Sequence, residues 1–143
     1  MSTWPDLAGR IEGETHILPV RVYFEDTDFA GHVYHANYLK LCERGRSDFI
    51  RLLGIDHQRL AAPKVGEPGV FVARHIEIDY LKPAQVDDVL EVVTRCSHIG
   101  GASLVLTRGS QGRGFACPRQ SHRGSGLGLG QAAAYWRTHS RRA

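Results

Sequence analysis

Beyond residue 108 the sequence contains no acidic residue. All 15 Asp and Glu fall within residues 1–108, beside 12 of the 18 Lys and Arg, so this part carries a formal charge of −3. Residues 109–143 hold six Arg, no Lys and no acid, for +6, together with seven of the 16 glycines. Two kinds of sequence therefore meet near Gly109. Cysteine is also scarce: Cys42, Cys96 and Cys117 are odd in number and far apart, which excludes a disulfide framework and a CxxC metal or redox motif. No apolar run approaches the roughly 20 residues that cross a bilayer. The N-terminus lacks a basic stretch followed by an apolar one, so a signal peptide is not expected. A reducing cytoplasm is the expected location.

What remains is an ordinary globular composition, 42% hydrophobic and 23% charged over 143 residues, which suits one domain with its own core. Residues 1–17 show no pattern and read as a loosely ordered leader. From Leu18 to Phe24 the chain alternates, Val20, Val22 and Phe24 against Arg21 and Tyr23, which predicts a strand. The run Glu25–His32 has turn formers and no period, so it predicts a loop. A helix is expected from His35 or Asn37 to Leu53. Tyr38, Leu41, Cys42, Phe49, Leu52 and Leu53 form its apolar side, Gly45 allows close approach, and Gly54 is the stop; Lys40, Arg44, Asp48 and Arg51 are placed elsewhere on it. Residues 56–69, with two prolines and two glycines, read as a long connection. Val70–Leu81, Val89–Ile99 and Ala102–Thr107 read as strands, with Gly100-Gly101 as the turn between the last two. The tail lacks this rhythm. Its Gly/Ser/Arg composition is that of disordered sequence, and only Gln131–Arg137 offers a helix-like patch.

The chemistry-bearing stretch is Val20–Leu39. Its loop places Glu25, Asp26 and Asp28 between a strand and a helix start. A helix N-terminus offers unpaired N–H groups and partial positive charge. Such groups suit a developing oxyanion, and a nearby carboxylate could attack a thioester or activate water. Aspartates at such a place also serve as turn formers and N-caps, and His32 and His35 alone could be surface or packing residues. His32-x-x-His35 lacks further ligands at metal spacing, so no metal is expected.

Tyr23-Phe-Glu-Asp-Thr-Asp-Phe-Ala-Gly-His-Val-Tyr-His-Ala-Asn-Tyr resembles the signature of the 4-hydroxybenzoyl-CoA thioesterase family, most nearly its bacterial branch associated with the Tol-Pal envelope system. The likeness runs on through Cys42-Glu-Arg-Gly-Arg-Ser-Asp-Phe and Ile76-Glu-Ile-Asp-Tyr-Leu-Lys-Pro to Gly100-Gly101-Ala-Ser-Leu. It implies an α+β hotdog fold over residues 18–108, a long helix wrapped by a curved antiparallel sheet, and a homodimer or homotetramer. It further implies hydrolysis of acyl-CoA thioesters without a cofactor. Asp28 would be nucleophile or general base, the backbone N–H at His35 the oxyanion donor, and the His35 imidazole an aid to proton transfer or positioning. Gly31, Val33 and Tyr34 would lie against the substrate, with short or medium acyl chains as the default.

The likeness ends near Thr107, where the family expects a finished strand and one more. Residues 109–143 match no part of it, so C-terminal strands are expected to be missing. A shifted reading frame accounts for this, and a native basic tail is the alternative. Two other functions are carried forward: a catalytically impaired acyl-binding protein, and a basic RNA- or membrane-surface-binding module built on the tail. The tail has no recognition motif, so specific nucleic-acid binding is not expected. An enoyl-CoA hydratase of the same fold is disfavoured because its Asp/His motif with an Asn-Pro pair is absent.

Overall fold

The computed structural model describes residues 7–55, 58, 71–99, 103–111 and 114–124. Eight elements follow in chain order: β1 (Arg10–Glu12), β2 (Thr15–Arg21), a 3-10 turn (Phe24–Asp26), α1 (Asn37–Leu52), β3 (Phe71–Lys82), β4 (Val89–Ile99), β5 (Ser103–Gln111) and β6 (Gly114–Gly124). The strands make one antiparallel six-stranded sheet in the order β1-β2-β4-β5-β6-β3. β3 and β1 are thus its edges, and α1 packs on β2 and β4.

Helix α1 is amphipathic for a plain reason: Tyr38, Leu41, Cys42, Gly45 and Phe49 recur every three or four residues and are all buried. Tyr38, Leu41 and Cys42 join Val22, Val33, Ala84, Leu90 and Val92 in the main core cluster. Gly45 is where the helix touches the sheet. A Cβ there would sit 2.8 Å from Val92 Cγ1 and 3.1 Å from Thr94 Oγ1. The helix stops as its sequence predicts. Gly54 takes φ +88°, its N–H reaches Arg51 O at 2.9 Å, and Ile55 N reaches Ile50 O at 3.2 Å. This is a Schellman ending, and its usual apolar contact is present as the buried Ile50–Ile55 cluster.

Three expectations need correction. The region taken as a leader contains β1 and the start of β2, joined as a hairpin in which Glu12 pairs with Thr15. Gly13 stands at φ +59°, at the turn position where type II′ hairpins place glycine, so the two residues Gly13-Glu14 suffice. Asp48, set apart from the apolar side of the helix in the sequence, is buried. The third concerns the C-terminal strands: β5 continues to Gln111, and β6 follows between β5 and β3. Backbone N–H and C=O groups make a ladder without side-chain alternation, so strand propensity is overridden where two neighbouring strands offer partners. Pro118 marks the misfit. It lies in β6, an interior strand, yet has no N–H to give. The register steps from Glu77↔Arg119 to Asp79↔Ala116 on one side and from Leu106↔Gln120 to Arg108↔Cys117 on the other, leaving Pro118 out of both ladders. The connection at 59–69 and the helix-like patch at Gln131–Arg137 lie outside the described residues.

Candidate active site

The loop between β2 and α1 is built by its own polar side chains. Asp26 closes the 3-10 turn, its Oδ2 accepting Tyr23 N at 2.8 Å. The Thr27 hydroxyl donates to Phe24 O at 2.8 Å. Next comes a tighter turn around Asp28. Its N–H donates to His32 O at 2.7 Å, and its carbonyl accepts Gly31 N at 3.0 Å. Its carboxylate Oδ1 accepts Ala30 N at 2.9 Å and His32 N at 3.3 Å. Gly31 meets the turn's demand for φ +80°, which costs a residue with a Cβ about 1–2 kcal/mol. Among the described residues Asp28 Oδ2 has no hydrogen-bond partner, and Asp28 is exposed.

This loop is fastened to the helix start. The carbonyl of Asp26 accepts both Tyr34 N at 3.0 Å and Asn37 Nδ2 at 2.8 Å. Val33 N donates to Ala84 O at 2.8 Å, and Thr27 bridges to Val33. Ala36 occupies the N-cap of α1 and supplies no side-chain cap. Among the described residues the N–H groups of His35 and Ala36 have no acceptor, so the positive end of the helix is left open beside the loop.

The aromatic residues form a continuous set around this opening. The His35 ring lies 4.6 Å from that of Tyr34 and meets Tyr80 edge-on at 5.9 Å, and Tyr80 in turn lies 5.7 Å from Tyr38. The Tyr80 hydroxyl donates to His35 O at 3.2 Å. Phe24 and Phe29 flank Asp28 in sequence and are fully open to solvent.

Of the residues named from sequence, Asp28, Gly31, Tyr34 and His35 share this loop and helix start. Val33 shares the backbone but not the site: its side chain is 5% exposed and packs in the main core. In an extended segment neighbouring side chains alternate, so Val33 points inward where Tyr34 points out. Asp26, one of three candidate carboxylates, is committed to the turn. Cysteine chemistry is disfavoured at Cys96, whose thiol burial pushes up to about 11 despite its bond to His98 O. Tyr80 went unrecognised in the sequence because it stands 45 residues from its partner.

The family model of the thioesterase superfamily matches residues 30–107. The chain belongs to the thioesterase superfamily. The matched span takes in the helix start and the turn glycine, and begins two residues after Asp28. The chain is 43% identical over 90 residues to an acyl-CoA thioester hydrolase, YbgC, of Escherichia coli O6:H1, covering 63% of this chain and 64% of that protein. It is 45% identical over 86 residues to the acyl-CoA thioesterase YbgC of Helicobacter pylori strain 26695, covering 60% of this chain and 59% of the relative. The chain thus spans less than two-thirds of the length of these relatives. A crystal structure of a probable thioesterase from Bartonella henselae superimposes with a TM-score of 0.73 at 38% identity, over 78% of this chain and 91% of the other.

Proposed function

We propose that this superfamily member hydrolyses acyl-CoA thioesters, with Asp28 as the reacting carboxylate and the His35 N–H as oxyanion donor. One observation carries the reading. Among the described residues a carboxylate is oriented through one oxygen by two backbone N–H groups, has no partner on its other oxygen, and is tied by Asp26 O to a helix start with open N–H groups. An N–H aimed at a thioester oxygen stabilises the charge that develops as the carbonyl becomes tetrahedral. The free Asp28 oxygen has two balanced routes. It can attack the carbonyl carbon and expel CoA thiolate, leaving an acyl anhydride for water to cleave. It can instead take a proton from water, whose hydroxide attacks while the thiolate leaves and is protonated. The names of the E. coli and H. pylori relatives support acyl-CoA as substrate, and the motif likeness of this sequence favours the Tol-Pal-associated branch of the 4-hydroxybenzoyl-CoA family. Short or medium acyl chains and a cytoplasmic location complete the reading.

A homodimer belongs to it as well. Among the described residues β3 is an unpaired edge of twelve residues with Val72, Ile76, Tyr80 and Leu81 exposed. A bare apolar edge invites strand pairing, and an antiparallel pair of identical edges satisfies two-fold symmetry. The test is thiol release from a panel of acyl-CoA and acyl-carrier-protein thioesters. Cleavage of short or medium acyl-CoA supports the reading, and no release from any member of the panel refutes it. The basic tail favours a second reading, an acyl-binding or polyanion-binding protein without turnover. Salt-sensitive RNA or anionic-vesicle binding without thiol release would establish that one.

A further inference from the structure

The hydrogen bond between Tyr80 and His35 has no structural necessity. Tyr80 stands on an edge strand and is 48% exposed in the single chain, so burial does not force its hydroxyl to find a protein partner. The acceptor is the more informative party. His35 precedes the N-cap Ala36, so its carbonyl lies outside the ladder of the helix, and Leu39 N donates to Ala36 O at 3.2 Å. Among the described residues the Tyr80 hydroxyl, at 3.2 Å, is what holds the His35 carbonyl.

A trans peptide unit is planar, and its C=O and N–H point in opposite directions. Turning His35 O toward Tyr80 therefore turns Ala36 N–H away from β3. The preceding unit is fixed likewise, because Tyr34 O accepts Asn37 N at 2.8 Å and so orients His35 N–H. Two consecutive peptide units at the helix start are thus locked, one by Asn37 and one by Tyr80. Without Tyr80 the His35–Ala36 unit could rotate and bring a carbonyl oxygen toward the place where negative charge develops. The same ring meets His35 edge-on and limits where the imidazole can lie.

We propose that Tyr80 is a positioning residue: its hydroxyl, by holding the His35 carbonyl, aims the Ala36 N–H as a second oxyanion donor beside that of His35. This rests on the thioesterase reading. Tyr80→Phe removes only the hydroxyl and keeps the ring contacts with His35 and Tyr38. One modest hydrogen bond is lost, and its effect is realised in the transition state. So kcat should fall about three- to tenfold with KM unchanged. Affinity for a CoA thioether, which develops no oxyanion, should stay the same, as should the melting temperature and the mass in solution.

The thiol-release assay on wild type and Tyr80→Phe side by side separates the possibilities. Equal kcat in the two proteins overturns the proposal and leaves the thioesterase reading standing. A raised KM at unchanged kcat overturns it too, because the hydroxyl then serves ground-state binding. A kcat loss that merely tracks a lower folded fraction overturns it in favour of a structural role. A wild type that releases no thiol removes the reading and the proposal together.

Discussion

Replacing Asp48 by alanine should cost this fold about 2–4 kcal/mol, because it leaves buried hydrogen-bond donors without their acceptor. The carboxylate has three partners. Oδ2 accepts His16 Nε2 at 2.6 Å and Gly9 N at 2.8 Å, and Oδ1 accepts Arg51 Nη2 at 2.7 Å. They do not weigh equally. The Arg51 side chain is 55% exposed and can return to water. His16 is fully buried, and its Nδ1 already lacks a partner among the described residues. Losing Nε2 as well leaves the imidazole unpaired inside, at about 1–3 kcal/mol, and the half-buried Gly9 N–H adds a smaller amount. Gly9 offers no easy repair, since the segment around it lies against Ile17 O and His16. Set against a total stability of about 5–15 kcal/mol, such a loss is large.

The wild type should reveal the same network through pH. Burial lowers the His16 pKa from its ordinary 6.5, an effect that its bond to Asp48 and that charge only partly offset. Burial works to raise the Asp48 pKa, but bonds from Arg51, His16 and Gly9 outweigh it and hold it below the ordinary 3.8. The folded pair is therefore neutral imidazole donating to carboxylate. The groups facing His16 are Asp48 and the Phe49 ring from α1, and Thr94, its cross-strand partner in β4. A histidine whose folded pKa is depressed binds protons more readily when unfolded, so its stability is whole above 6.5 and falls as pH drops toward the folded value. The Asp48 contribution has the same sign and is lost below 3.8. Urea unfolding followed by the helical signal measures both effects. With a slope of roughly 2 kcal/mol/M, Asp48→Ala should lower the midpoint by about 1–2 M at pH 7. His16→Leu combined with Asp48→Leu should recover much of the loss, because no buried polar group is then orphaned. A midpoint within about 0.3 M of wild type, or a wild-type stability flat from neutral pH down through the histidine range, would refute the reasoning.

Asp28→Asn should reduce acyl-CoA turnover by about 10³-fold or more with the helical signal intact, whereas Asp26→Asn should do much less because Asp26 is spent on Tyr23 N. Steady-state kinetics on the two variants decides, and equal losses would sink the distinction. Gly45→Val should destabilise by about 1–3 kcal/mol or more, since even a Cβ meets Val92 Cγ1 at 2.8 Å, and a thermal melt at or above wild type would contradict that packing. Leu81→Lys together with Ile76→Lys on the free edge should shift the mass in solution from twice 15.9 kDa toward one chain, measured by light scattering. A wild type already monomeric at assay concentration would remove the dimer.

Much of the fold was legible because its signals are local. The spacing of Tyr38, Leu41, Cys42 and Phe49, and the glycine after Leu53, place α1 as Asn37–Leu52 against an expected end at Leu53. The alternation in Val89–Ile99 defines β4 with the same bounds. What the sequence hid was set by distant partners. A helical wheel puts Asp48 at the border of the apolar side, between Leu41 and Arg44; its partner His16, 32 positions earlier on the adjoining strand, cannot be read from the helix alone. β6 has no strand signature of its own and is ordered by the ladders of β3 and β5, which break where Pro118 cannot donate.

The site divides along the same line. The order of Asp28, Gly31, Tyr34 and His35 along the chain was enough to bring them to one loop, since the Asp28 turn closes through bonds spanning four residues or fewer and Asp26 O ties it to Tyr34 and Asn37 nearby. Sequence order could not rank three carboxylates lying within four positions. The ranking comes from which oxygen is spent. Asp26 gives Oδ2 to Tyr23 N, whereas Asp28 is held through Oδ1 and keeps Oδ2. Nor could it find Tyr80, which reaches His35 from the far edge of the sheet. On the proposed reading, a group that orients the reaction comes from a distant part of the chain, whereas Asp28 lies in a local turn. That separation lets Tyr80 be altered without touching the fold of the Asp28 loop, which makes its kinetic test a clean one.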